Sequence, residues 1–181
     1  MPALPLFAQQ AGESLVVRTA AGSTRITAGA LAAMDRDTVT VRLHDGPPLR
    51  YTGVPLHAIL RTAGVHADSL RGPALSRRVI LRAADGYQAV FGLAELDPGV
   101  ADRRFVLADR VDGAELPEDE APYRLVVEGD ARHSRWIRQV REIEVRADER
   151  PDRASSTEPA FEVLNSGRVF PRELPLTEAV R

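Results

Sequence analysis

The hydrophobic and polar positions of this chain change period repeatedly, and each change predicts an element. Leu15-Val-Val-Arg-Thr19 and Ser23-Thr-Arg-Ile26 read as two short strands, joined at Ala20-Ala-Gly22 as a hairpin. Thr27 is placed to cap a short helix reaching Met34, with Ala30, Leu31 and Met34 on one side. From Asp37 to Leu43 apolar and polar residues alternate, so Val39, Val41 and Leu43 share one face of a half-buried strand that Gly46-Pro-Pro48 breaks. Gly53 to Gly64 carries the plainest helical pattern. Proline stands near its first turn and glycine after its last, and Leu56, Ile59, Leu60 and Ala63 form a stripe at helical spacing. Arg61, near the C-terminal end, complements the helix dipole.

Further on, Arg78–Ala83 and Tyr87–Phe91 predict two strands around the tight turn Asp85-Gly86, where glycine supplies the positive φ the turn needs. Leu93 and Leu96 suggest a short helix ended by Pro98, and Phe105–Ala108 a strand. Gly113–Pro122 is acidic and loop-like; its four carboxylates between Glu115 and Glu120 read as a solvated loop. Tyr123–Val127 is apolar, and within Trp136–Val145 the alternation of Ile143 and Val145 with charge makes the second half a strand. Many short strands with few short helices imply a mixed α+β domain over residues 14–147. Residues 1–13 read as a flexible terminus. From Asp148 onward the polar, proline-punctuated stretch is a linker, followed by a tail whose Phe161, Val163, Leu164, Val169 and Phe170 suit docking on the core or on a partner.

Composition narrows the chemistry. All 24 basic residues are arginine, as a GC-rich genome would produce, so neither a Schiff-base lysine nor a phosphate-loop lysine exists. The absence of cysteine removes disulfides, thiolate nucleophiles and thiolate-bound metals. A net charge of −2 gives no global attraction to nucleic acid or to membrane surfaces. No apolar run approaches the ~20 residues of a membrane span. The apolar start Met1–Ala8 reads either as the trailing end of a signal peptide or as a frayed terminus. No Ser-His-Asp order, glycine-rich phosphate loop or zinc-ligand spacing is present.

Several motifs follow one another in a telling order: Gly53-Val-Pro-Leu56, Ala63-Gly64, Asp85-Gly-Tyr87, Leu107-Ala108, Asp112-Gly113, Pro122-Tyr-Arg-Leu-Val-Val127, and Arg135-Trp-Ile-Arg138 running on to Val145. Together they resemble the molybdopterin-binding domain of the sulfite-oxidase-type oxidoreductases, closest to its short single-domain members, over about residues 14–147. The resemblance implies a mixed β-sheet, barrel-like core with short helices, enclosing a pterin cofactor that carries molybdenum. It also implies a metal-binding cysteine between the third strand and the Gly53-Val-Pro-Leu56 helix. Here that region is Val41-Arg-Leu-His-Asp-Gly46, without a thiolate. Histidine or carboxylate is no equivalent for this soft ligand. Molybdopterin is therefore the cofactor the resemblance implies, while thiolate-held molybdenum is not expected. The family and the apolar start together point to the periplasm, with the cytoplasm left open.

Arg132-His-Ser-Arg-Trp-Ile-Arg138 is the foremost candidate site. Guanidinium forks match phosphate oxygens in pairs, and the corresponding family segment helps to hold the pterin phosphate. Arg132, His133, Ser134, Arg135 and Arg138 are thus candidate contacts to a pterin or another small anion. The alternative is a basic turn whose arginines pair with carboxylates of neighbouring loops. Tyr87 is a candidate pocket residue or a hairpin tyrosine packed on a neighbour; Trp136, the single tryptophan, is expected as a core anchor. His57, in the first helical turn, lies on the helix surface or at a pocket mouth, and His66 on a loop. His44, with Asp45, is a candidate metal ligand or a polar turn. Three functions remain open on these residues: a pterin-type binding domain without normal redox catalysis, in effect a pseudoenzyme; a degenerate fold acting as an interaction module of a redox or sensor system through its tail; and an oxidoreductase with a non-cysteine ligand at His44 or Asp45.

Overall fold

The computed structural model describes residues 14–42, 46–130 and 132–147, together with the backbone of two short strands at 161–163 and 169–171. Residues 1–148 form one compact unit and 149–181 a second. The predicted ligand position at His44 and Asp45, the first thirteen residues and most of the tail lie outside the described residues.

In the first unit a five-stranded sheet is built from both ends of the domain sequence. The hairpin β1 (Ser14–Thr19) and β2 (Gly22–Thr27) opens it; β5 (Arg78–Ala83) and β6 (Gln88–Gly92) form its far side; β10 (Val140–Arg146) lies between β1 and β5, giving the order β2-β1-β10-β5-β6. β10 runs parallel to β1 and antiparallel to β5. The register aligns Val17, Ile143, Leu81 and Ala89 across the sheet, all buried. Strand alternation then sends their neighbours to the opposite face. There Arg18 bonds Glu142 at 2.7 Å, Arg82 bonds Glu144 at 2.9 Å, and Arg146 bonds Glu144 at 2.6 Å, a diagonal ladder of charge over an apolar floor.

A second sheet carries β3 (Asp37–Arg42), β4 (Pro48–Pro55), β7 (Phe105–Val111) and the short β8 (Ala114–Glu115) in that order, with β9 (Arg124–Val127) also paired to β7. Phe105 to Ala108 are all buried, as befits a strand covered on both faces. The two sheets stay open, and no closed barrel forms among the described residues. The barrel-like core implied by the resemblance is thus realised as two sheets around one hydrophobic cluster.

Two short helices connect these strands. In α1 (Ala28–Ala32) the Thr27 hydroxyl accepts from the Ala30 amide at 3.2 Å; the helix ends before Met34, which packs against the core as a partly buried residue. α2 (Leu56–Thr62) buries Leu56, Ile59 and Leu60, the predicted stripe. Its start needs correcting: Gly53, Val54 and Pro55 finish β4, because they pair with Ala108, Leu107 and Val106 of β7. A Cβ at Gly53 would collide with the Leu107 carbonyl, so this strand approaches its neighbour only with glycine there. Pairing of this kind is invisible to helical periodicity. Trp136–Gln139 likewise stands outside β10, since Gln139 adopts φ 51° and breaks the extended run before Val140.

In the second unit β11 (Phe161–Val163) and β12 (Val169–Pro171) pair antiparallel, with Glu162 opposite Phe170.

Candidate functional site

Three chain segments meet beside the β5–β6 turn. In that turn Gly86 has φ +87° and the Asp85 carboxylate accepts from the Tyr87 amide at 2.9 Å, which fixes the tip. The Ala84 amide donates to the Gln139 carbonyl at 3.0 Å, tying the tip to the segment that precedes β10. The Gln139 amide in turn donates to the Glu120 carbonyl at 3.1 Å, which brings in the acidic loop. A single 3₁₀ turn, His133–Arg135, closes over the space between them, and the Tyr87 hydroxyl donates to the Ser134 carbonyl at 2.9 Å. The result is a cleft of about 390 Å³ whose walls include Asp85, Tyr87, Arg124, His133, Trp136 and Arg138.

Arg124 dominates its deeper wall. It projects from β9 and is 7% exposed, one of two buried charged residues among those described. One terminal nitrogen donates to the Glu120 carboxylate and, at 3.2 Å, to the Tyr51 hydroxyl. The guanidinium carbon lies 5.3 Å from the centre of the Tyr51 ring and 5.9 Å from that of Trp136, within cation–π range. Arg124 Nε, Glu120 Oε2 and Trp136 Nε1 are buried without a hydrogen-bond partner. Each such group carries a cost of roughly 1–3 kcal/mol. Burial pushes the Glu120 carboxyl above its ordinary value, against the opposing pull of Arg124, and burial also raises the Tyr51 hydroxyl. The acidic loop therefore departs from the solvated reading at one position, since the Glu120 side chain is largely buried.

The candidate residues divide around this cleft. Tyr87, His133, Ser134 and Arg138 line it. His133 packs on Trp136 with ring centres 4.2 Å apart. Arg138 is exposed and paired with Asp119 at 2.7 Å. Arg135 sits elsewhere, bonded to Asp130 at 2.7 Å and Glu95 at 3.3 Å, with its guanidinium 4.6 Å from the Phe91 ring centre. Arg132 precedes the 3₁₀ turn, exposed and outside the cleft wall. His57 is exposed on α2 and also outside it, as are Val41, Arg42 and Gly46. Arg124 was not singled out from sequence, although an arginine heading the apolar run Leu125-Val-Val127, with a carboxylate four residues before it, was the available signal. Trp136 is buried as anticipated and also faces the cleft.

A family model described as the oxidoreductase molybdopterin binding domain matches residues 35–154. The chain belongs to that family. No curated protein matches the chain.

The family implies a molybdopterin, whose ring edge carries both hydrogen-bond donors and acceptors. The side chains that line the cleft include donors on Arg124 and Arg138 and acceptors on Asp85 and Asp119, whereas Arg124 Nε, Trp136 Nε1 and Glu120 Oε2 are closed off from solvent. Lining groups of both kinds suit the hydrogen-bonding character of the organic part of that group. Its metal finds no thiolate in this sequence, and among the described residues no three carboxylate or histidine side chains cluster in a metal-binding arrangement.

Proposed function

We propose that this domain binds a pterin-like small molecule in the cleft between the β5–β6 turn and the 3₁₀ turn His133–Arg135, without a thiolate-held molybdenum centre. The observation that carries this reading is the cleft itself, about 390 Å³, lined by Arg124, Trp136, His133 and Tyr87, which join a guanidinium to aromatic faces as a flat heterocycle requires. The volume lies at the lower end of the ~300–1,000 Å³ typical of small-molecule sites. In this reading the Arg124 guanidinium donates to the heterocycle edge, Trp136 and His133 pack against its face, and Tyr87 holds the 3₁₀ turn closed over it through Ser134. For a metal on such a cofactor the chain supplies no thiolate ligand of its own.

Trp136 is the single tryptophan, so its fluorescence reports the site without labelling. Titration with 6-hydroxymethylpterin is expected to quench it saturably at one ligand per chain, and His133→Ala is expected to weaken binding about tenfold, the loss of one good stacking contact. Absence of saturable quenching refutes the reading. Metal analysis after growth on molybdate is expected to find molybdenum far below one atom per chain, and a stoichiometric centre would overturn that half of it.

A second reading draws support from Arg135 and Arg138, whose charges are already met by carboxylates. Here the 132–138 stretch is structural and the domain is an interaction module. A full-length chain that binds no pterin but loses a partner on deletion of residues 151–181 would favour it.

A further inference from the structure

We propose that the solvent face of the five-stranded sheet is a docking surface for a carboxylate-rich protein partner. The inference is independent of the cleft and stands on the register of the strands.

Pairing brings every second residue of the five strands onto that face. One row across the sheet runs Arg25, Val16, Glu142, Arg82 and Gln88. The next runs Ser23, Arg18, Glu144, Ile80 and Val90. Arg146 and Arg78 stand opposite each other in a third. The face thus holds five arginines against two glutamates, a surplus of three positive charges on a chain whose net charge is −2.

The glutamates do not hide this surplus. Glu142 is shared between Arg18 at 2.7 Å and Arg82 at 3.3 Å, and Glu144 between Arg82 at 2.9 Å and Arg146 at 2.6 Å. The two glutamate side chains are 22% and 16% exposed, whereas Arg18 and Arg146 are each 53% exposed. An approaching surface therefore meets guanidiniums before carboxylates. At the edge, Arg25 donates to the Ser14 hydroxyl at 2.7 Å rather than to a carboxylate. Guanidinium forks held on a rigid sheet match incoming carboxylates two oxygens at a time.

The apolar content of the face selects a protein among possible polyanions. Val90, on the edge strand β6, is 50% exposed beside the charged rows. A protein surface that joins acidic residues to an apolar side chain meets both features, and a phosphate chain has no use for Val90. Strands about 4.8 Å apart make the face roughly 20 Å wide, a size that suits a small, transient contact.

The test uses the full-length chain and a fluorescein-labelled peptide of glutamates around one leucine, read by fluorescence anisotropy. Binding is expected to weaken at least about tenfold as salt rises from about 20 to about 200 mM. Arg18→Glu and Arg25→Glu should each weaken it at least about fivefold, and Arg61→Glu, the same charge change on α2, which packs on the second sheet, less than about twofold. Val90→Ser should weaken it about threefold. Arg18→Gln, with circular dichroism on every variant, separates a lost contact from a lost fold. No peptide binding at low salt, or equal losses from Arg18→Glu and Arg61→Glu, overturns the docking face. A thymidine oligonucleotide of the same charge that binds more tightly than the peptide, and is indifferent to Val90→Ser, overturns the protein partner. A dimer in sedimentation velocity that Arg25→Glu dissociates overturns it in favour of a second copy of the chain.

Discussion

Two arginine–carboxylate pairs stand at the same cleft and differ in almost everything but charge. Arg138 and Asp119 lie in solvent at the mouth, whereas Arg124, with its guanidinium near the rings of Tyr51 and Trp136, is buried with Glu120 behind the deeper wall. The exposed pair trades protein contacts for water contacts of similar strength. The buried pair has given up its water, so each partner depends on the other. Proximity to the site is thus a poor guide to which charge matters; desolvation is the better one.

The largest expected effect comes from breaking the buried pair on one side. Arg124→Met should destabilise the domain by about 3–5 kcal/mol in urea denaturation, since it strands the Glu120 carboxylate. Adding Glu120→Leu should recover most of that loss, because removing both charges also removes the desolvation cost. A recovery of less than half would mean that Arg124 acts chiefly by packing on Tyr51 and Trp136.

Titration should separate the buried carboxylate from the surface ones by sign. Burial raises Glu120 above the ordinary glutamate value, so its protonated form favours the fold. That contribution is complete below the unfolded value and is lost as pH rises through the folded one. Glu144, held low by hydrogen bonds from Arg146 and Arg82, behaves oppositely. Its contribution is complete above the unfolded value and is lost as pH falls through the folded one. The stability of wild type relative to Glu120→Gln should therefore decline from pH 4 to pH 8, and that relative to Glu144→Gln should grow. Parallel trends would contradict the difference in burial. The smallest effect belongs to the exposed pair: Arg138→Ala should cost less than about 1 kcal/mol, and less still in high salt.

The sequence by itself determined the local elements and one chemical exclusion. Alternation marked β3 and the second half of the stretch Trp136–Val145, a hairpin signal marked β1 and β2, the Asp85-Gly86 turn fixed the β5–β6 hairpin, and the Leu56–Leu60 stripe marked α2, because these follow from backbone period and turn chemistry within a few residues. Motif order sufficed for the family, and the absence of cysteine needed no coordinates. Tertiary structure alone decided the partners. It set β10 between β1 and β5, joining Arg18 to Glu142 across 124 positions, and claimed Gly53–Pro55 for β4 through pairing with β7. It sent Arg135 to Asp130 and Arg138 to the cleft mouth from one short stretch, and it sank Arg124 and Glu120 together. The physical reason is that periodicity tells which face of an element is apolar, whereas the energy of a charge depends on what surrounds it after folding.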